Sequence, residues 1–181
     1  MKSTKLLFIF FLLLSFLGCK EEQKVEYQQP TSVTTFYFIR HAEKDRFDPD
    51  NPDPELSQEG LGRAMHWAEV LNEVPLDAIY TTDYQRTAMT AAPTAVKREL
   101  IEEFYDPGTW DAAQFKKDNL NKSVLVVGHS NTTPQMVNSL IGEEKYAEMD
   151  EYDNGSLFIV QLVNDVATSQ RLVFNCNCPA R

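Results

Sequence analysis

The sequence predicts an α/β fold: a three-layer α/β/α sandwich with a mostly parallel central sheet and a C-terminal hairpin strand. Three observations carry this. From about Thr34 onward, strand-like segments alternate with segments of helical periodicity, the pattern of β–α–β units. Ser123 to Val127 is an almost wholly apolar run, as a strand covered on both faces should be. Near the end, Ser156 to Val163 and Thr168 to Phe174 read as two strands joined by Asn164-Asp165, a hairpin turn.

The first strand runs from Thr34 to Ile39 and is β-branched and aromatic. From Asp45 to Glu55 the chain is rich in Asp and Pro, which excludes helix and central strand. A calcium loop is excluded there too, because Pro52 and Asp53 sit where an EF-hand needs a ligand and a Gly. A solvated loop at the rim of a site is the expectation. Ser57 then caps a helix to about Asn72, with Leu61, Ala64, Met65, Ala68 and Leu71 on one face and His66 off it, in solvent. Asp77 to Thr81 reads as the second strand. Asp83 is placed as the cap of a helix beginning at Tyr84, which Pro93 should bend or shorten. Leu100 to Tyr105 is extended, Trp110 to Asp118 helical, and a last helix runs from Pro134 to Leu140.

The N-terminus differs in kind. Lys2 and Lys5 precede the run Leu6 to Leu17, in which only Ser15 is polar; this is too short to span a bilayer but suits a signal-peptide core. Leu17-Gly18-Cys19 resembles a bacterial lipoprotein signal, with Phe16 where Leu is usual. The organisation read from this is a signal peptide over 1–18, a polar tether over 19–31 and one catalytic-type domain over 32–181. The resemblance implies lipidation at Cys19 and an exported protein anchored to a bacterial membrane, on its periplasmic side or at the cell surface. Lys20-Glu21-Glu22 resembles the charged signal that sends some lipoproteins to the surface.

Composition excludes whole classes. The 181 residues carry 27 Asp plus Glu against 17 Lys plus Arg, a net charge of −10, and loss of Lys2 and Lys5 would take it to −12. A nucleic-acid binder needs the opposite surface. Three Cys are too few for a disulfide scaffold. Cys176 and Cys178 read as an inert or redox-labile tail rather than a zinc site, which needs more ligands.

In an open α/β sheet, ligands bind beyond the carboxyl ends of the strands. Three such ends carry unusual polar residues: Arg40-His41, Thr81 to Arg86, and Gly128-His129-Ser130-Asn131. Phosphoryl transfer suits them. Arg40 and Arg86 can each offer a planar fork to phosphate oxygens. A neutral imidazole can accept a phosphoryl group covalently, and a second, protonated one can stabilise the equatorial oxygens. Blander readings are available for each residue alone. Arg86 could pair with Asp83, and His129 could satisfy a loop carbonyl. Ser130 is not a hydrolase elbow, because Thr132 stands where Gly is needed.

The motifs together resemble the histidine phosphatase superfamily, also called phosphoglycerate mutase-like. Arg40-His41-Ala42-Glu43-Lys44 resembles its Arg-His-Gly-Glu signature. Leu56-Ser57-x-x-Gly60-x-x-x-Ala64 resembles its next helix start, Ile79 to Ala91 its second arginine motif, and Gly128-His129-Ser130-Asn131 its second histidine motif. The resemblance implies a phosphatase in which His41 is the phosphoryl acceptor and Arg40, Arg86 and His129 complete the phosphate pocket. It implies no metal and no cofactor. For the general acid, Asp106 is favoured over Glu102 or Glu103. Ala42 replaces the usual Gly, and Lys44 replaces a commoner Thr, adding positive charge at the rim. The implied partner is a phosphorylated small molecule or phosphoprotein, with no nucleic acid; oligomeric state is left open. A catalytically silent phospho-ligand binder and, less favoured, a mutase-type phosphotransferase are the alternatives.

Overall fold

The computed structural model describes residues 31–176. The signal peptide, Cys19, most of the tether and Cys178 lie outside the described residues. Six strands form one sheet: β1 (Val33–Arg40), β2 (Ala78–Thr81), β3 (Glu102–Phe104), β4 (Ser123–Gly128), β5 (Ser156–Val163) and β6 (Val166–Val173). Four helices accompany them: α1 (Gln58–Val70), α2 (Gln85–Arg98), α3 (Ala112–Asp118) and α4 (Thr132–Ile141). The strand order is β3-β2-β4-β1-β5-β6. β3, β2, β4 and β1 are mutually parallel, whereas β5 runs antiparallel to β1 and to β6.

Alternation along the central strands sorts the core into two layers. Phe36 and Phe38 of β1 and Val124 and Val126 of β4 face Met136, Val137 and Leu140 of α4. Ile39, Leu125 and Val127 face the other way, onto Trp67, Ala91 and Ala95 from α1 and α2. The sheet is therefore covered on both sides, as the apolar run in β4 requires. The helix after β1 and the helix after β4 pack on opposite faces although the two strands are neighbours. Their carboxyl ends consequently border a crevice, the place where such sheets bind ligands.

Several local expectations are revised. The buried side of α1 is Gly60, Arg63, Ala64, Trp67 and Ala68, while Leu61 and Met65 are exposed. A charged residue, Arg63, sits in the buried stripe because it pairs with Glu43, and this rotates the stripe away from the most apolar arc. His66 is accordingly half-buried beside Trp67 rather than free in solvent. Pro93 does not break α2, which continues to Arg98. Burial of Thr90, Ala91, Thr94 and Ala95 offsets the backbone bond that Pro93 cannot make. The cap position of α2 falls to Tyr84, not Asp83. α4 begins at Thr132, two residues before Pro134, and β6 begins at Val166. The hairpin turn is as read: Asn164 and Asp165 take φ of 49° and 65°, the pair a two-residue type I′ turn needs.

Gly60 shows why the helix start is written as it is. A Cβ there would lie 2.1 Å from the carbonyl oxygen of Glu43, so only glycine lets α1 approach the loop after β1 this closely. Among the described residues no helix is long and apolar enough to cross a membrane. Cys176 is disulfide-bonded.

Candidate active site

β1 and β4 end side by side, with Arg40 opposite Gly128, and the backbone N–H of His41 continues the ladder to Gly128 O at 2.9 Å. This register sets the two histidines together: the rings of His41 and His129 meet edge to face, 5.5 Å between centroids. β2, on the other side of β4, delivers Thr82 and then α2 with Tyr84 and Arg86. The Tyr84 ring stands perpendicular to His129 at 5.3 Å and lies 4.1 Å from the Arg86 guanidinium carbon. Arg40, His41, Arg86 and His129, expected together from three separated motifs, thus share one crevice.

His41 is held at three points. Its N–H bonds Gly128, its own carbonyl accepts from Asn154 Nδ2 at 2.8 Å, and its Nδ1 lies 2.7 Å from the Ala42 carbonyl oxygen. A carbonyl can only accept, so Nδ1 carries the proton and, in the neutral ring, Nε2 keeps a free lone pair. The neutral ring is the stable form. Burial first, and the positive charges of Arg40, His129 and Arg86 after it, lower the His41 pKa to about 3, against the opposing effect of the Ala42 bond. Ala42 is fully buried and is not among the described non-glycine residues with positive φ, so the replaced glycine carries no backbone strain. Its N–H donates to Thr90 Oγ1 at 2.9 Å, and Thr90 in turn donates to the Arg86 carbonyl at 2.7 Å. One hydroxyl therefore ties the loop bearing His41 to the helix bearing Arg86.

The tautomer of His129 follows from a short relay. Thr87 Oγ1 donates to the carbonyls of Thr82 and Tyr84, at 2.9 and 2.8 Å. Its proton being spent, it accepts from Thr82 Oγ1 at 3.0 Å, and Thr82 is left to accept from His129 Nε2 at 2.9 Å. His129 thus bears its proton on Nε2, and Nδ1 is bare while the ring is neutral. Burial, then Arg86, Arg40 and Lys44, lower its pKa to about 4. A dianion bound beside the ring would reverse the sign of that field and favour protonation at Nδ1.

The cations are uneven in their pairing. Arg40 is only 3% exposed; Nη1 donates to the carbonyls of Asp150 and Glu151 at 3.0 and 2.6 Å, while Nε is buried without an acceptor. Among the described residues no carboxylate forms an ion pair with it. Glu151, Asp153 and Asp150 act on it at longer range, but a buried guanidinium with an unused donor and no direct ion pair is suited to an anion. Arg86 pairs instead with Asp53, at 3.4 Å. This is not the Asp83 partner that a surface role would have used. Lys44 sits at the rim, its pKa lowered by burial and by Arg46 and Arg86. Behind the site, Glu43 pairs with Arg63 at 2.7 Å, and both side chains are largely buried.

The acid candidates lie elsewhere. Asp106 follows β3 on the same edge of the sheet, but its carboxylate is exposed and caps the turn Pro107–Thr109 through Gly108 N at 2.8 Å. No contact joins it to the histidines or arginines among the described residues. Glu102 and Glu103 are on β3 itself; burial raises the pKa of Glu102, and Glu103 lies near Tyr80. Sequence reading did not assign functions to Thr82, Tyr84, Thr87 and Thr90, although all lie inside the second arginine motif. Asp53 and Asn154 carried no local signal at all, since each acts across a long sequence separation.

Residues 36–112 match the model of the histidine phosphatase superfamily, branch 1. No curated protein matches the chain in sequence. Solved structures do match in fold. The alpha-ribazole phosphatase from Shigella flexneri superposes with a TM-score of 0.62 at 14% identity, covering 77% of this chain and 96% of its own. The protein histidine phosphatase SixA complexed with tungstate gives 0.60 at 15% identity, over 77% and 96%. A SixA from Agrobacterium tumefaciens, described as a proposed phosphohistidine phosphatase, gives 0.56 at 18%, over 77% and 98%. Residues 36–112 are thus similar to the histidine phosphatase superfamily, and the described chain shares the fold of those solved structures.

Proposed function

We propose that the protein is a phosphatase that hydrolyses phosphomonoesters, or phosphorylated protein side chains, through a phosphohistidine on His41. The observation that carries this is the pairing of a buried, unpaired Arg40 with a neighbouring imidazole whose Nε2 lone pair is free. The match of residues 36–112 to the histidine phosphatase superfamily supports the same reaction class.

In the first step Nε2 of His41 attacks phosphorus; the N–P bond forms as the bond to the leaving oxygen breaks. Arg40, Arg86 and protonated His129 hold the equatorial oxygens, whose charge grows in the transition state. Asp106, beyond the end of the edge strand β3, is the candidate that would supply the proton to the leaving oxygen. In the second step water attacks phosphorus, Asp106 takes back a proton, the N–P bond breaks, and inorganic phosphate leaves with His41 restored.

The site is proposed to work outside the cytoplasm, on a protein held to a bacterial membrane by lipid at Cys19. Phosphohistidine and alpha-ribazole phosphate, named for structures of like fold, belong in the substrate panel beside sugar phosphates and phosphopeptides.

The test is release of p-nitrophenol from p-nitrophenyl phosphate with and without chelator, wild type against His41→Ala. Turnover that resists chelator and disappears in the variant supports the reading. Tight phosphate binding with no turnover of any panel member would instead identify a phospho-ligand binder.

A further inference from the structure

We infer that Asp53 is an internal counter-anion for Arg86, a positioning residue that competes with bound phosphate and so hastens release of the product. The inference rests on Arg86 being a phosphate ligand, as proposed above. The Asp53 carboxylate occupies one arm of Arg86 and the first amide of α2. Its Oδ1 and Oδ2 accept from the backbone N–H of Gln85 at 3.0 and 3.2 Å, and Oδ1 lies 3.4 Å from Arg86 Nη1. Helix N-terminal amides and an arginine fork are the groups that bind phosphate elsewhere.

The carboxylate is also firmly placed. The Asp53 carbonyl accepts from Gln85 Nε2 at 3.2 Å, and the loop that carries it is closed at its base by Asp45 N–H to Glu55 O at 2.8 Å. On its other side the guanidinium lies against the Tyr84 ring. Arg86 is therefore oriented and partly neutralised before any ligand arrives. A helix cap alone would not need the arginine. The Arg86 contact, moreover, is longer than the roughly 2.7–2.9 Å of a strong charge-assisted bond, so it holds the fork without saturating it. Once phosphate binds, it must share the guanidinium with Asp53, so it gains less from Arg86 than it would alone. That competition for one cation weakens the complex with inorganic phosphate, the last species to leave.

The experiment is calorimetric titration of inorganic phosphate into the wild type, Asp53→Asn, Arg86→Gln and the double variant. Asp53→Asn keeps an acceptor for Gln85 N–H but removes the charge. It should bind phosphate about three- to tenfold more tightly, the scale of one screened charge interaction, and product inhibition should tighten with it. In the Arg86→Gln background the same change should have no effect. Asp53→Ser, which retains a capping oxygen, should reproduce the tightening and guards against misfolding of the first variant. Wild-type or weaker binding in both Asp53 variants overturns the inference, as does equal tightening without Arg86. A wild type that binds no phosphate overturns the proposed function and this inference together. One that binds phosphate with no Asp53 effect overturns the inference alone.

Discussion

Nδ1 of His41 lies 2.7 Å from the carbonyl oxygen of Ala42, the next residue in the chain, and this contact decides which nitrogen can react. With Nδ1 occupied as a donor, Nε2 holds the lone pair. The bond also fixes the ring against a fully buried backbone, so the proposed nucleophile keeps one orientation without help from a carboxylate.

Acid should undermine the fold through these rings. The folded pKa values of His41 and His129, about 3 and about 4, lie below the ordinary value of 6.5. Between those values the unfolded chain binds protons that the folded one refuses, so stability is present above pH 6.5 and is lost as pH falls toward 4. Each group contributes at most about 1.4 kcal/mol per pH unit in that window. Melting temperature measured from pH 7 to pH 4 should fall less steeply in His41→Asn than in wild type. Parallel curves would mean that His41 is readily protonated in the folded protein.

If His129 is a phosphate ligand, the hydroxyl relay would make phosphate binding a proton-uptake reaction. His129 gives its only neutral-state proton to Thr82, so contact with a dianion requires a second proton on Nδ1. Calorimetric titration of phosphate near pH 7.5 in buffers of different ionisation enthalpy should show uptake of a proton. Thr82→Val should leave Nε2 without its acceptor and lower kcat/KM by roughly tenfold, the worth of one net hydrogen bond. Buffer-independent binding heats would remove His129 from the role of charged ligand.

Arg40 links the pocket to the fold. Its Nη1 carries the carbonyls of Asp150 and Glu151, and its Nε is left without an acceptor, free for the proposed phosphate. Arg40→Gln should therefore lower kcat/KM by about 10²–10³, the cost of a lost electrostatic donor, and also lower the melting temperature. Arg86→Gln should cost activity with a smaller thermal effect, because Arg86 anchors no backbone carbonyl. Equal thermal shifts in the two variants would contradict the dual role given to Arg40.

Asp106 lies at the carboxyl-end edge of the sheet but touches none of Arg40, His41, Arg86 and His129. If it protonates the leaving oxygen, Asp106→Asn should slow alkyl phosphates by about 10²-fold or more, the range of general acid catalysis, while leaving activated aryl phosphates nearly untouched. Equal slowing of both would remove Asp106 as the acid and count its carboxylate as the cap of the following turn.

The layers, the alternation of strands with helices and the convergence of Arg40, His41, Arg86 and His129 were legible because each depends on local pattern: an apolar run, a strand end, a motif. What was not legible depends on pairing at a distance. Arg63 turns the buried stripe of α1 because Glu43 waits for it 20 residues earlier. Asp53 looked like one more acid in a solvated loop until α2 brought Arg86 beside it. Asn154 supports His41 from 113 residues away. Pro93 stayed helical because packing outweighed a local preference.

The most direct test is a rapid-quench experiment with a phosphoryl-labelled substrate, followed by assay of the denatured protein for label that is acid-labile and base-stable. Wild type should carry such a phosphoryl group on His41, located by peptide mapping, and His41→Ala should carry none. Turnover with no labelled protein at any quench time, or label that survives in His41→Ala, would contradict a covalent path through His41.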